Sequence, residues 1–230
     1  MYSIASWNIR GMKQSPKQNE VRQVICENKL SVCAILESHV ACSRLEGLCK
    51  KVFRTWDWTS NGHLCSKGSR IVLGWNQEEV DVTVVAMDYQ VIHTCIRFKK
   101  DKKELFCSFI YAHNRYTHRR PLLQNLIMHK QYVRNRAWCL LGNFNSALNL
   151  EDKVEGSAVI DIAMREFKEC VDEIEVFDVN RSGLQFTWNQ KPRGVDGTLK
   201  KIDRIMANLE CTDGFVGVHA IFQPYHISAI

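Results

Sequence analysis

Four prolines and twelve glycines in 230 residues leave little material for linkers or low-complexity tracts. No Pro-, Gly- or Ser-rich stretch and no internal repeat interrupts the chain, so a single domain over residues 1–230 is expected. Long hydrophobic runs are absent as well. The longest, 32–36 and 137–141, hold five residues, against roughly 20 for a membrane-spanning helix, and a membrane span is excluded. The opening Met1-Tyr2-Ser3-Ile4-Ala5-Ser6-Trp7 has neither a basic region nor a long apolar one, so no signal peptide is read. The ten cysteines form no Cys-x-x-Cys pair, which argues against zinc, and a chain of this length needs no disulfide staples. Cys33, Cys107 and Cys139 sit inside apolar runs, where cysteine acts as a small hydrophobe. Reduced cysteines of an intracellular protein are the reading, with nucleus or cytoplasm left open. Ten Phe, six Trp and six Tyr supply a core and exclude disorder.

Hydrophobic periodicity divides the chain into short strands and fewer helices. Strands are expected over 2–7, 31–36, 52–58, 70–75, 80–86, 91–98, 104–111, 137–142, 184–188 and 202–207. One helix is expected from Ser15-Pro16-Lys17-Gln18, which offers an N-cap, a proline at the first helical position and a capping-box glutamine. A second runs from about Arg119 to Val133, with Leu123, Leu126 and Ile127 inward. The third carries Ala163, Phe167, Cys170, Val171 and Ile174 at spacings of three and four. Strands and helices interspersed through the whole length predict an α/β or α+β sandwich.

The net charge of +6 conceals two opposed blocks. Residues 99–136 hold ten Lys/Arg and two Asp/Glu, whereas 151–178 hold ten acids and three bases. The basic block mixes cations with a ring at His113, Arg115, Tyr116, His118, Arg119 and Arg120, a composition able to track phosphates. The plainer alternative is a solvated hairpin and an exposed helix face.

Four segments put polar residues at the ends of apolar strands: Trp7-Asn8-Ile9-Arg10-Gly11, Leu36-Glu37-Ser38-His39, Tyr111-Ala112-His113-Asn114 and Gly142-Asn143-Phe144-Asn145. Each alone is an ordinary turn. Together they suggest a site where one edge of a sandwich opens, and a carboxylate among neutral amides suits a hard cation such as Mg²⁺. Trp7, Trp188 and Phe144 read as core residues, and His39, His93 and His113 as ordinary surface or core residues.

The order Trp-Asn-Ile-Arg-Gly, Leu-Glu-Ser-His, Phe-Ile-Tyr-Ala, Leu-Gly-Asn-Phe-Asn, Phe-Thr-Trp-Asn and Lys-Lys-Ile-Asp-Arg resembles the endonuclease/exonuclease/phosphatase superfamily. It is most similar to the endonuclease domain of plant non-LTR (LINE-type) retrotransposons. Glu151-Asp152, residues 164–170 and Phe222-Gln223-Pro224-Tyr225 also fall where those domains have similar words. The resemblance implies a four-layer α/β/β/α sandwich of two mixed sheets, here with a truncated C-terminal strand. It implies that Glu37 and Asn8 hold Mg²⁺ (or Mn²⁺) and that Tyr111 positions the scissile phosphate. It implies that Asn145 holds water or phosphate and Asp203 orients a catalytic histidine, with Asn143 at the motif's aspartate. Thr187 and Trp188 would lie near the DNA backbone, and the basic block read above adds Arg115, Arg119 and Arg120 as candidate contacts. These site residues are expected to converge at one edge. DNA is the implied partner, a reverse-transcriptase domain is the implied neighbour in the ancestral polyprotein, and a monomer is expected.

Two departures accompany the resemblance. The family words read Gly-Asp-Phe-Asn where this chain has Gly142-Asn143-Phe144-Asn145. Asn keeps the shape of Asp but has no charge and exchanges no proton near neutral pH. The family words also close on Ile-Ser-Asp-His, whereas Ile227-Ser228 is followed here by Ala229-Ile230. The Asp-His pair is therefore expected to be missing, and His226 precedes the serine and does not replace it. The expectation is an impaired DNA endonuclease-like domain. The alternatives are a non-catalytic nucleic-acid-binding remnant and a phosphatase of the same superfamily.

Overall fold

The computed structural model describes residues 2–154, 159–190 and 198–224. Tyr225 and the terminal words around His226, Ile227, Ser228, Ala229 and Ile230 lie outside the described residues. The chain forms two compact units, one within Met1–Tyr111 and one over Ala112–Pro224. No linker composition marks the change: Tyr111 ends a strand and Ala112 follows it directly.

In the first unit β1 (Ile4–Asn8) is followed by α1 (Ser15–Glu27), β2 (Val32–Val40), α2 (Cys42–Val52), β3 (Asp57–Ser60) and β4 (Ser69–Trp75). β1 and β2 pair in parallel, which requires a crossover, and α1 supplies it. β4 is antiparallel to both β2 and β3, giving a mixed sheet in the order β1-β2-β4-β3. The remaining strands of the unit, β5 (Val80–Met87), β6 (Val91–Phe98) and β7 (Glu104–Tyr111), form an antiparallel meander. β7 packs against β2 and β4. β2 is apolar on both faces because each face is covered. Cys33 and Ile35 join Val21 and Ile25 of α1 and Leu45, Leu48, Cys49 and Val52 of α2 in one buried cluster. Val32, Ala34 and Leu36 alternate to the other face and are equally buried.

The second unit contains α3 (Tyr116–Tyr132), β8 (Trp138–Asn143), β9 (Lys153–Val154), α4 (Ile162–Ile174), β10 (Phe177–Asp178), β11 (Arg181–Gly183), β12 (Trp188–Gln190), β13 (Thr198–Lys200), β14 (Asp203–Ala207), α5 (Leu209–Gly214) and β15 (Ala220–Phe222). β14 lies antiparallel between β10 and β8. β13 lies antiparallel between β12 and β9, and β11 pairs with β15 in parallel. α3 packs on α4, whose Met164, Phe167, Cys170, Val171 and Ile174 are all buried. Asp161 caps α4, its Oδ1 accepting from the Met164 N–H at 2.8 Å. Beneath β14 the buried Arg204 bonds the carboxylates of Asp152 and, at 2.6 Å, Asp178. Lys201 bonds Asp178 at 2.5 Å, so two cations meet two anions and the buried charges are paired.

Several sequence expectations shift for identifiable reasons. The strand expected over 52–58 is the end of α2, a turn and then β3. Leu45, Leu48, Cys49 and Val52 recur at helical spacing, but Gly47 and the intervening cations obscure it. Over 184–188 only Trp188 is in a strand. The α1 N-cap is Gln14 rather than Ser15, with Pro16 in the first turn. α3 begins at Tyr116, so Pro121 lies inside it, and lacking an N–H it cannot donate to the Thr117 carbonyl. The short α5 is an element that periodicity does not reveal.

Two glycines make opposite predictions. A Cβ at Gly74 on β4 would meet the buried Phe53 ring at 2.4 Å, whereas a Cβ at Gly47 in α2 would meet nothing within 4 Å. Gly74→Ala is expected to destabilise by about 1–3 kcal/mol through overpacking. Gly47→Ala is expected to stabilise by about 0.5–1 kcal/mol, because alanine loses less backbone entropy in a helix. Urea unfolding of the two variants measures both signs.

Candidate functional site

The expected site residues divide between the units. In the first, the parallel register sets Asn8 opposite Leu36, one residue before Glu37. β2 breaks register between Leu36 and Val40. Glu37 (φ 56°) and His39 (φ 50°) both adopt left-handed backbone, which is costly for residues with a Cβ. Glycine-free strain of this kind needs anchors, and the loop after β1 supplies them. Gly11 N–H donates to Glu37 O at 2.7 Å and Met12 N–H to Ser38 O at 3.0 Å. The buried Ser38 hydroxyl donates to Ser69 O at 2.8 Å.

This arrangement turns the Glu37 carboxylate toward Tyr111 at the end of β7, whose hydroxyl hydrogen-bonds it. His39 Nε2 lies 3.4 Å from Glu37 Oε1. The Arg70 guanidinium stands 4.5 Å from the centroid of the Tyr111 ring and donates to Tyr111 O at 3.1 Å. Burial pushes the Tyr111 phenol well above its ordinary range, the Glu37 charge adds to this, and Arg70 opposes it. Asn8 Oδ1 is buried and has no hydrogen-bond partner. An orphaned amide oxygen one register step from the residue that carries a carboxylate fits a hard cation, because Mg²⁺ takes oxygen ligands and few of them from protein. Among the described residues no three His, Cys, Asp or Glu side chains cluster, so a softer, ligand-rich metal centre has no candidate there.

The second unit brings together Asn143, Asn145, Asp203 and Thr187. Asn143 ends β8 directly across from Asp203 at the start of β14. Its Oδ1 accepts from the Asn145 N–H at 2.9 Å. Asn145 is left-handed (φ 49°), and its Nδ2 donates to Ala112 O at 2.7 Å. Thr187 Oγ1 accepts from the N–H groups of Ile202 and Asp203 at 3.2 and 3.0 Å, so it fixes the backbone that carries Asp203. Trp188 carries the Lys200 ammonium 5.4 Å from its ring centroid.

The basic block does not present its cations as its composition suggests. Arg119, expected as a DNA contact, is buried: its Nη1 bonds the carbonyls of His113, Asn114 and, at 2.6 Å, Asn145. It is a positioning residue for the Asn145 loop. Arg120 is engaged by Glu166 at 2.6 Å and Lys130 by Glu175 at 2.7 Å. Arg115 is exposed at the start of α3. The sequence reading missed Arg70, because only the pairing of β4 brings it to Tyr111. No helix among the described residues is long and apolar enough to cross a membrane.

No family model and no curated protein sequence matches the chain. Solved structures do. The endonuclease domain of TRAS1, a telomere-specific non-LTR retrotransposon, superposes with a TM-score of 0.71 at 12% identity over 93% of this chain and 88% of that one. The AP endonuclease LMAP from Leishmania major gives 0.68 at 12% identity, over 91% and 79% of the chains. A mannosyl-6-phosphatase from Bacteroides thetaiotaomicron gives 0.56 at 13%, over 91% and 86%. The chain therefore has the deoxyribonuclease I-like α/β sandwich fold of the endonuclease/exonuclease/phosphatase proteins.

The buried phenol predicts an alkaline stability profile. Below its ordinary value of 10.0 the proton is held in both folded and unfolded chains. Above that value the unfolded chain releases it while the folded chain retains it, so stability falls as pH rises toward the folded pKa. Tyr111→Phe is expected to flatten this fall. Urea unfolding of wild type and variant between about pH 8 and 11 measures the difference in slope.

Proposed function

We propose that the chain is a phosphodiesterase acting on DNA, derived from a retroelement endonuclease, with its metal-holding corner kept and its proton transfer impaired. The observation that carries this reading is Glu37, turned out of β2 by left-handed backbone, bonded to Tyr111 and one register step from the orphaned Asn8 oxygen. The retroelement origin draws on the six ordered words and on the likeness to the TRAS1 domain.

In this reading Glu37 and Asn8 hold Mg²⁺ (or Mn²⁺), which when bound offsets charge on the phosphoryl oxygens. Tyr111 stays protonated, and its single O–H, held by Glu37 in this structure, would turn to donate to a phosphate oxygen once that carboxylate holds the cation. Arg70, over the ring and on the Tyr111 carbonyl, holds that phenol in place. Asn145, locked by Arg119 and Ala112, offers an amide to water or phosphate. Hydrolysis breaks a P–O bond, takes a proton from water and gives one to the leaving oxygen. The amide of Asn143 can do neither. General acid–base help of that kind is worth about 10²–10⁴-fold.

Asn143 also favours a second reading, a DNA-binding remnant without turnover. Nicking of supercoiled plasmid separates the two. Slow nicking that requires Mg²⁺ is expected from the wild type, lost with chelator and with Glu37→Ala, and raised about tenfold or more by Asn143→Asp. Nicking unaffected by Glu37→Ala would overturn the catalytic reading. DNA retained in a gel shift with no nicking by any variant would establish the remnant.

Asn143→Asp also has an expected cost. It would place a buried carboxylate across the ladder from Asp203, and like charges directly opposite are unfavourable. Burial and the neighbouring charge would raise its folded pKa, so the loss of stability is absent in acid and grows as pH rises past the unfolded carboxylate value. Denaturation at about pH 4 and pH 7 is expected to show a deficit of at least about 1 kcal/mol only at the higher pH.

A further inference from the structure

The first unit contains a groove of about 820 Å³ whose walls come from the loop after β1, the end of β2, α2 and the loop before β4. Four cations line it: Lys13, Arg44, Lys51 and Lys67. All four are exposed, and no Asp or Glu is among the lining residues. None of the four forms a salt bridge within the described residues. Distant segments of sequence build this cluster, so charge counting along the chain does not find it.

The placement follows from local structure. Arg44 and Lys51 are seven residues apart on α2, two helical turns along one face. Lys67 is delivered by a tight pass of the chain over β2: Gly68 has φ +86°, and a Cβ there would meet Val40 O at 2.9 Å. Lys13 follows the loop whose Gly11 and Met12 are tied to Glu37 and Ser38. His39 lines the same groove, and its Nε2 is 3.4 Å from Glu37 Oε1. The groove therefore leads to the carboxylate corner.

We infer that this groove is the track for the phosphate backbone of the DNA substrate, with Lys13, Arg44, Lys51 and Lys67 as its phosphate contacts. The inference rests on the phosphodiesterase reading and adds to it where the substrate lies. Four separated cations with no internal anion suit a repeating chain of phosphates, which releases counterions as each cation docks. The contrast with residues 99–136 supports the choice. There Arg119 is buried in carbonyl bonds and Arg120 and Lys130 are held by Glu166 and Glu175.

The test is fluorescence anisotropy of a labelled DNA duplex of about 20 base pairs, with chelator present, at several salt concentrations between roughly 50 and 200 mM. The groove variant carries Lys13→Gln, Arg44→Gln, Lys51→Gln and Lys67→Gln. A control removes equal charge from the basic block, with Lys100→Gln, Lys102→Gln, Lys103→Gln and Arg134→Gln. The groove variant is expected to lose at least about tenfold in low-salt affinity and to lower the log–log salt slope by about 3, while the control stays within about twofold. Equal losses in both variants, no loss in the groove variant, or no DNA binding by the wild type would each overturn the track. Thermal midpoints of all chains verify folding, and the single Lys51→Glu provides a milder variant with the same expected direction. Chelator removes turnover from the readout. A groove that binds without any nicking leaves the track standing and the catalytic reading refuted, and Glu37-dependent nicking with unchanged groove binding does the reverse.

Discussion

β2 runs regularly from Val32 to Leu36 and then turns on Glu37, and the placement of polar side chains in the first unit depends on that break. A strand that continued in register would alternate its side chains between two covered faces and bury the carboxylate. Left-handed backbone at Glu37 and His39 takes both side chains out of that alternation. Such conformations cost roughly 1–2 kcal/mol per residue. Hydrogen bonds from Gly11 and Met12, and the Ser38 hydroxyl on Ser69 O, hold the strained segment. The same contacts aim Glu37 at Tyr111 and set His39 at the mouth of the cationic groove.

The second unit uses a different means to the same end. Its strand end at Asn143 is fixed by ladder pairing with β14, and the turn beyond it is fixed by a buried guanidinium. Arg119 donates to three loop carbonyls, those of His113, Asn114 and Asn145, which offsets the desolvation of the buried guanidinium. Arg204, between Asp152 and Asp178, ties the strand carrying Asp203 to the loop around Asn149, because Asp152 Oδ2 also accepts from the N–H groups of Leu148 and Asn149. Both units thus place polar side chains at strand ends and anchor the irregular backbone with charges or N–H groups from elsewhere.

Much of this architecture is legible in the sequence where one short-range signal dominates. α4 is read from its apolar spacing, and β6 and β7 from runs of β-branched and aromatic residues. α2 is not, because Gly47 and the cations Arg44, Lys50 and Lys51 obscure a buried face of Leu45, Leu48, Cys49 and Val52. The strand-end words pick out Asn8, Tyr111 and Asn143, which end β1, β7 and β8, Glu37, where β2 breaks register, and Asn145, just past β8. They did not find Arg70, which reaches Tyr111 only through the pairing of distant strands. Charge was the least legible property. Arg119 counts as a surface cation in the sequence and is a buried structural group in the fold, whereas Lys13, Arg44, Lys51 and Lys67 come together only in three dimensions.

The central claim is that Glu37 and Asn8 form a divalent-cation corner, and calorimetric titration of Mg²⁺ or Mn²⁺ into the protein without DNA tests it most directly. The account predicts binding at one site in the wild type, loss of that binding in Glu37→Gln, and weaker binding in Asn8→Ala, with all three chains equally folded by circular dichroism. Cation binding of unchanged strength and stoichiometry in Glu37→Gln would contradict it.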